Sequence, residues 1–323
     1  MTDRHVDAVT DRRVIALVGP TAVGKSAIAM SLAQRLDGEI VNADSMALYR
    51  GMDIGTAKAS AVERAQIPHH VLDIWPVTQA ASVADYQEHA RAAIDIVLAR
   101  GRTPILTGGS GLYVQATIDD LDFPGTDPAI RARLEAEVDR DGPEALHRRL
   151  SGLDPPAAAA NSPQNARRIV RALEVIELTG RPFSAGPGMA AYRSIYPGLR
   201  MLGLELELPA LDDRIARRVD DMWHRGLVDE VRGLAGHGLR DGVTARRALG
   251  YQQVLAFLAG ECTEVQAKAE TTRATRRFVR RQLSWFRRDP RIHWLPATAT
   301  AEAGPEALVA MAVRAVAGDQ PNG

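Results

Sequence analysis

The sequence predicts an α/β protein whose core is a parallel sheet flanked by helices, similar to P-loop NTPases, with an inserted helical domain. Short apolar runs alternate with amphipathic helical patterns, which is typical of parallel strands joined by crossover helices. A glycine-rich loop lies between the first run and the first helix. Strand patterns stop near residue 122 and return near residue 200. We therefore expect a core over residues 12–122 and 200–323 and an insertion over residues 123–199.

The first part of the core contains four apolar runs that predict strands. They cover residues 14–18, 39–43, 70–74 and 103–107. Helices are predicted at residues 25–36 and 83–100, where apolar side chains recur every three to four positions. We expect the strand that ends before Asp44 to lie next to the first strand.

The insertion has helical patterns and no convincing strand. One helix is predicted to have Ser162 as its N-cap, Pro163 as its first residue and Gly180 as its stop. Strand patterns return at residues 201–206 and 292–295, and two long helices are predicted between them, at residues 211–235 and 264–288.

Composition and charge exclude several classes of protein. The 323 residues include 40 Lys and Arg and 40 Asp and Glu, so a nucleic-acid partner would have to be bound by local clusters. The single cysteine excludes an internal disulfide framework and a Cys-x-x-Cys pair. No segment approaches the roughly 18 apolar residues of a membrane span. We expect a cytoplasmic protein with no membrane partner.

The loop after the first strand carries the strongest functional signal. It fits the pattern G-x-x-x-x-G-K-[ST] with Gly19, Pro20, Thr21, Ala22, Val23, Gly24, Lys25 and Ser26. Its backbone N–H groups and the helix that follows can surround a polyphosphate, Lys25 adds a positive charge, and Ser26 can bind Mg²⁺. The run at residues 103–107 leads into Gly108-Gly109-Ser110-Gly111, without the acidic Mg²⁺ ligand of a usual NTPase. This difference counts against routine ATP hydrolysis.

Asp44 follows the second strand, at the edge where ligands of open α/β sheets bind. Its position is compatible with a helix cap, with an indirect Mg²⁺ ligand, or with a base for an acceptor brought to the bound phosphate compound. His69 and His70 suggest a metal site, but neighbouring strand residues point to opposite faces. A structural hydrogen-bonding role is therefore favoured for the two histidines.

Arginines cluster in two places. Residues 273–291 contain eight arginines and a single acid. Six of these form one stripe at helical spacing, namely Arg273, Arg276, Arg277, Arg280, Arg281 and Arg288. Arg167, Arg168 and Arg171 form a second patch in the insertion. Two basic surfaces on separate domains suit a clamp around an RNA stem.

Taken together, eight segments resemble the bacterial tRNA dimethylallyltransferases, also called tRNA isopentenyltransferases. The two most selective segments are Gly51-Met-Asp-Ile-Gly-Thr-Ala-Lys58 and Gly108-Gly-Ser-Gly-Leu-Tyr113. The other six are residues 19–26, 42–49, 68–74, 168–175, 250–251 and 280–287. They follow one another in the family's order over nearly the whole chain.

The resemblance implies that the exocyclic amine of adenosine 37 in a tRNA attacks dimethylallyl diphosphate and expels diphosphate. The phosphate loop would then hold this diphosphate with Mg²⁺ rather than ATP. Asp44 would accept a proton from the amine, Lys25 and Arg218 would contact the diphosphate, and the Ser110 hydroxyl would act at the reacting centre. This chain departs from the family's pattern at Ser110, where the resemblance leads us to expect threonine.

The resemblance also implies contacts with the anticodon stem-loop, made by a protein that we expect to be a monomer. The residues concerned are Asp44, Ser45, Met46, Ala47, Ser110, Arg131, Arg167, Arg168, Ile169, Val170, Arg171, Arg247, Gly250 and Tyr251.

Three alternatives remain open from the sequence. A small-molecule kinase would explain the phosphate loop but not the second glycine turn or the basic insertion. An enzyme that prenylates free adenine nucleotides would share the core motifs and differ in the insertion. An RNA-binding module with a vestigial phosphate loop is disfavoured, because Lys25, Ser26 and Asp44 are all present.

Overall fold

A computed structural model describes residues 13–185, 191–298 and 304–318 as parts of two compact units. One unit contains residues up to 118 and from 196 onward, and the other contains residues 119–195. The junctions lie four residues earlier than predicted, at 119 instead of 123 and at 195 instead of 199. Residues 12, 299–303 and 319–323 of the predicted core and residues 186–190 of the predicted insertion lie outside the described residues.

The larger unit contains a six-stranded parallel sheet with the order β3-β2-β4-β1-β5-β6. Its strands are β1 (Ile15–Val18), β2 (Gly38–Asn42), β3 (His69–His70), β4 (Thr103–Gly108), β5 (Arg200–Glu205) and β6 (Ile292–Pro296). The prediction that β2 lies next to β1 is wrong, because β4 pairs with both strands and separates them. The ends of β1, β4 and β2 therefore form three consecutive positions of one sheet edge.

Helices cover both faces of the sheet. In chain order the larger unit has α1 (Lys25–Arg35), α2 (Ala61–Gln66), α3 (Val83–Ala99) and α4 (Gly111–Ile118), then α9 (Leu208–His224), α10 (Leu227–Gly236), α11 (Tyr251–Leu258), α12 (Glu264–Phe286) and α13 (Gly304–Ala317). Alternate residues of β1 pack into two separate apolar clusters, one containing Ala16 and Val18 and the other Ile15 and Leu17. Within the described residues, no helix has both the length and the apolar character needed to cross a membrane.

Two predicted elements of the core differ from the structure. The helix predicted over residues 211–235 is two helices, α9 and α10, because Gly226 has a φ of 91° and ends the first of them. The strand predicted over residues 70–74 stops at His70, because Val71 and Asp73 have φ angles of 60° and 57°. Left-handed residues of this kind turn the chain out of a sheet.

The smaller unit is helical. It contains α5 (Pro128–Asp141), α6 (Pro143–Leu153), α7 (Pro155–Ala159) and α8 (Ala166–Thr179) around its own apolar cluster. Helix α8 ends at Gly180 as predicted, but its N-cap is Asn165, whose side chain accepts a hydrogen bond from Arg168 N. The predicted cap, Ser162, instead accepts from Gln164 N in the preceding turn.

Candidate active site

A cleft of about 250 Å³ lies at the carboxyl edge of the sheet in the larger unit. The phosphate loop, the ends of β2 and β4, residues 56–59 and α9 all contribute to its walls. Lys25, Ser26, Asp44 and Arg218 line it together, although they are far apart in sequence. Thr107, at the end of β4, also lines it and has a buried hydroxyl without a hydrogen-bond partner among the described residues.

The phosphate loop forms a compact turn that depends on two glycines. Gly19 and Gly24 have φ angles of 144° and 108°. A side chain at Gly19 would start only 2.7 Å from the carbonyl oxygen of Leu204 on β5, so glycine is required there. The close packing places the loop backbone and the start of α1 against the cleft.

Lys25 is the main positive charge of the loop. Its Nζ donates to the carbonyl oxygens of Gly19 at 2.9 Å and Pro20 at 2.7 Å. Burial lowers the pKa of Lys25 to about 7; the nearby Asp44 carboxylate opposes this effect and the Arg218 guanidinium adds to it. Because the ammonium group is poorly solvated, an anion bound in the cleft would strongly stabilise its charged form.

The Asp44 carboxylate is oriented by its own turn. Asp44 N donates to Asn42 Oδ1, and Met46 N donates to Asp44 Oδ1, both at 2.9 Å. The second carboxylate oxygen, Oδ2, receives no hydrogen bond from the described residues. Asp44 therefore keeps one oxygen free to accept a proton or hydrogen bond at the cleft.

Ser110 is brought to Asp44 by the close approach of β2 and β4. Ser45 N donates to Ser110 Oγ at 3.1 Å, and the two serine hydroxyls lie 3.2 Å apart. A Cβ at Gly108 would lie 2.2 Å from Ala43 backbone atoms, so the glycine turn is required for this approach. The second glycine-rich segment thus serves to join two strand ends.

Arg218 enters the cleft from α9 and is supported by the loop before α2. Its Nη2 donates to the carbonyl oxygen of Thr56 at 3.4 Å. Burial lowers the pKa of Arg218, while the Asp44 carboxylate raises it. Since the unperturbed guanidinium titrates far above neutral pH, Arg218 remains a cation available to an anionic ligand.

Two residues that sequence reasoning missed fix the loop that supports Arg218. Lys58, with a fully buried side chain, donates to Tyr49 O, to Asp53 Oδ1 and to Asp73 Oδ1 at 2.6–2.7 Å. The carboxylate of Glu230, on α10, accepts hydrogen bonds from the backbone N–H groups of residues 53–55. No sequence signal links Glu230 to this loop, since they are more than 170 positions apart.

Tyr251 and Gly250 lie in the interior of the larger unit. The Tyr251 side chain is 0% exposed, and its hydroxyl donates to Glu230 Oε1 at 2.6 Å. Gly250 is buried as well, whereas Arg247 is exposed. The Tyr251 side chain therefore completes the support of residues 53–55, and the expected contact between this residue and tRNA stays a prediction.

The residues predicted to bind tRNA in the smaller unit divide into three groups. Arg167 and Arg168 are exposed. Ile169 and Val170 are 0% and 4% exposed and their side chains belong to the apolar cluster of that unit, so the expected RNA contact of these two residues stays a prediction that only their backbone could fulfil. Arg131 and Arg171 both bind the buried carboxylate of Glu174.

The arginine stripe on α12 is less basic than its local sequence indicates. Arg276 and Arg280 approach Asp212, and Arg273 and Arg277 pair with Glu270. Asp212 belongs to α9 and Glu270 lies just before the stripe, so both carboxylates lie outside residues 273–291. The positive charge expected of this stripe is therefore partly neutralised at these four arginines.

The cleft offers few side chains that could bind a metal ion, so a cation there would be held mainly by the oxygens of a bound phosphate compound. The described residues contain no group of three or more His, Cys, Asp or Glu side chains that could hold a metal ion. His70 pairs with Glu39 at 2.6 Å, consistent with the structural role expected for it. Ser26 supplies a hydroxyl to the cleft, which fits Mg²⁺ with phosphate oxygens and water as its other ligands.

Comparison with known proteins gives a consistent result. The model of the IPP transferase family matches residues 47–289. A tRNA dimethylallyltransferase of Streptomyces avermitilis is 66% identical over 287 residues, which cover 89% of this chain and 91% of that protein. One from Thermobifida fusca is 65% identical over 288 residues, with coverages of 88% and 89%.

Solved structures agree with the architecture. The full-length tRNA isopentenylpyrophosphate transferase of Bacillus halodurans aligns with a TM-score of 0.68 and 42% identity, covering 94% of this chain and 97% of that one. A eukaryotic dimethylallyltransferase acting on tRNA aligns with a TM-score of 0.79 and 24% identity, covering 97% and 81%. At that identity the second alignment supports the fold alone.

Proposed function

The chain belongs to the IPP transferase family, and we propose that it transfers a dimethylallyl group from dimethylallyl diphosphate to N6 of adenosine 37 of a tRNA. The observation that carries this proposal is the cleft in which Lys25, Ser26 and Arg218 face Asp44. Lys25, Ser26 and Arg218 suit a diphosphate, and Asp44 suits an amine that must lose a proton. The products are N6-isopentenyladenosine and diphosphate.

The diphosphate end of the cleft stabilises the leaving group. The allylic C–O bond breaks with its electron pair moving to diphosphate, so negative charge grows on the departing oxygens. Lys25, Arg218 and the N–H groups of the phosphate loop are placed to bind those oxygens. Mg²⁺, bound by Ser26 and the diphosphate, would supply further positive charge there.

The acceptor end of the cleft removes a proton from the adenine amine. The lone pair of N6 is delocalised into the ring, so the amine is a weak nucleophile until its proton can leave. The free Oδ2 of Asp44 accepts that proton as the N–C bond forms. Ser110 Oγ, held at Ser45, positions the acceptor side of the cleft.

The acceptor is proposed to be tRNA because the smaller unit carries exposed cationic side chains outside the cleft. Arg167 and Arg168 are the strongest candidates for phosphate contacts, since their charges have no partner among the described residues. Bacterial tRNA is cytoplasmic, and we place the reaction there.

A transfer assay with three acceptors tests the proposal. Purified protein, dimethylallyl diphosphate and Mg²⁺ are mixed with unmodified tRNA, with AMP or with buffer, and products are identified by mass spectrometry of nucleosides. We expect isopentenyladenosine in tRNA at position 37 and no consumption of ATP. Equal prenylation of AMP would support a nucleotide-prenylating enzyme, and ATP turnover without prenyl transfer would support a kinase.

A further inference from the structure

Gln282, on α12, joins two loops that line the cleft, the phosphate loop after β1 and the glycine turn after β4. Its Oε1 accepts a hydrogen bond from Thr21 N in the phosphate loop at 3.0 Å. Its Nε2 donates to the carbonyl oxygen of Gly109 at 2.8 Å. The side chain is only 6% exposed, so both bonds lie in a site where water competes weakly.

The chemistry of these partners explains why a glutamine fits between them. Thr21 N can only donate and the Gly109 carbonyl can only accept, so the bridging group must offer one acceptor and one donor. A carboxylate would satisfy Thr21 N but would repel the Gly109 oxygen. A Cβ at residue 109 would lie 2.3 Å from Gln282 Nε2, so the glycine at this position makes room for the amide.

The contact continues from Gly109 to the acceptor side of the cleft. Ser110 is the next residue, and its Oγ accepts from Ser45 N beside Asp44. A connected path therefore runs from the phosphate loop through Gln282 to the Ser110 and Asp44 loops. A shift of about 1 Å between reacting groups can reduce a rate by roughly 10²-fold, so a fixed spacing between these loops matters for transfer.

We propose that Gln282 is a positioning residue that sets the distance between the diphosphate-binding loop and the acceptor loop. This inference rests on the proposed function, because it assigns the two loops to the two substrates. Gln282 touches neither substrate. Its effect is therefore expected in the rate of the chemical step at saturation and not in the affinity for either substrate.

The test compares Gln282→Met with Thr275→Val. Methionine keeps the length of the side chain and removes both hydrogen bonds. Thr275 is a matched control, since it is buried on the same helix and its hydroxyl donates only within the helix, to Thr271 O at 2.7 Å. Each variant is assayed for single-turnover transfer with both substrates saturating, for the Kd of each substrate and for Tm.

We expect Gln282→Met to slow single-turnover transfer by about 10-fold or more and to change each Kd by less than about threefold. Thr275→Val should keep the rate within about twofold of the unmodified enzyme. Equal rates for the two variants would overturn the positioning role. A weaker Kd for dimethylallyl diphosphate with an unchanged rate would also overturn it, by limiting Gln282 to support of the phosphate loop.

A second variant keeps the inference testable if the methionine variant fails to fold. In Gln282→Glu, a protonated carboxyl offers the same donor and acceptor as the amide, whereas the carboxylate loses the donor. The transfer rate relative to the unmodified enzyme should rise as the pH is lowered. If the ratio of the two transfer rates does not depend on pH, the hydrogen bond donated to the Gly109 carbonyl oxygen is not needed for transfer. If the unmodified enzyme transfers no dimethylallyl group at all, the proposed function itself fails.

Discussion

The charge of Lys25 depends on what occupies the cleft. Its buried ammonium has a pKa of about 7, below the ordinary lysine value of 10.5. Below pH 7 the free protein holds the lysine charged, and above pH 7 it is mainly neutral. A bound diphosphate favours the charged form and raises the pKa again, so binding above pH 7 requires proton uptake.

Calorimetry can measure this uptake. Near pH 8, about one unit above the pKa of Lys25, we expect diphosphate binding to take up close to one proton per site. Titration of diphosphate in two buffers of different ionisation enthalpy gives the number directly. Lys25→Arg is the control, because arginine stays protonated, so the difference between the two proteins removes the ionisation of the diphosphate itself and leaves the proton taken up by the lysine. Equal uptake by both proteins would assign the proton to another group.

Asp44 is expected to act in the chemical step. Asp44→Asn keeps an oxygen that can accept from Met46 N but removes the base, so transfer should slow by roughly 10²-fold or more. Binding of dimethylallyl diphosphate, measured separately, should change little. Loss of donor binding with a fast chemical step would instead identify Asp44 as a metal ligand.

At the residue scale, cleft residues were predictable from the sequence where they belong to a recognisable local motif. Residues of the phosphate loop, Asp44 and Arg218 line one cleft. Lys58, Glu230 and Gln282 could not be identified, because each acts through partners that the fold brings together from distant segments.

At the scale of elements, residues 53–55 depend on α10 and α11 for their position. Glu230 offers its carboxylate to three backbone N–H groups, and Tyr251 adds a hydroxyl donor to the same carboxylate. A Cβ at Gly55 would lie 2.3 Å from the Tyr251 ring, so the loop and the ring are tightly packed. This arrangement assigns Tyr251 a supporting role.

Tyr251→Phe distinguishes support from RNA contact. Removing the hydroxyl leaves the half-buried Glu230 carboxylate with one donor fewer, which should reduce the free energy of unfolding by about 1–3 kcal/mol. Denaturant titration measures this loss. The KM for tRNA should stay unchanged, since the ring is 0% exposed. A raised KM for tRNA with unchanged stability would show that the hydroxyl meets the RNA.

Helices and strands were predictable where the pattern was local, and strand order was not. Lys25–Arg35 and Glu264–Phe286 begin where the apolar spacing indicates. The order of the strands in the sequence does not show that β4 lies between β1 and β2. That position depends on which strands pair with the two edges of β4 in the folded sheet. Nor does the sequence show that Val71 adopts a left-handed conformation, which is uncommon for a β-branched residue.

At the scale of the whole molecule, the cleft belongs to one of the two units. The larger unit contains every residue of the cleft, and the smaller unit has a separate apolar cluster around Leu134 and Leu173. Exposed arginines of the smaller unit can therefore be changed without altering the cleft. Arg131 and Arg171 are poor choices for such a change, because their removal would leave the buried carboxylate of Glu174 short of partners.

The double variant Arg167→Ala, Arg168→Ala tests whether the smaller unit binds tRNA phosphates. Each phosphate contact contributes roughly 0.9 to the slope of log affinity against log salt for duplex DNA and about 0.7 for single strands. We expect a higher KM for tRNA and a slope flatter by about one to two, with an unchanged KM for dimethylallyl diphosphate. The charge-matched control is Arg140→Ala, Arg148→Ala, which removes two exposed arginines from α5 and α6 of the same unit. If both double variants change tRNA binding equally, the effect is one of net charge, and if neither does, the smaller unit makes no phosphate contact through α8.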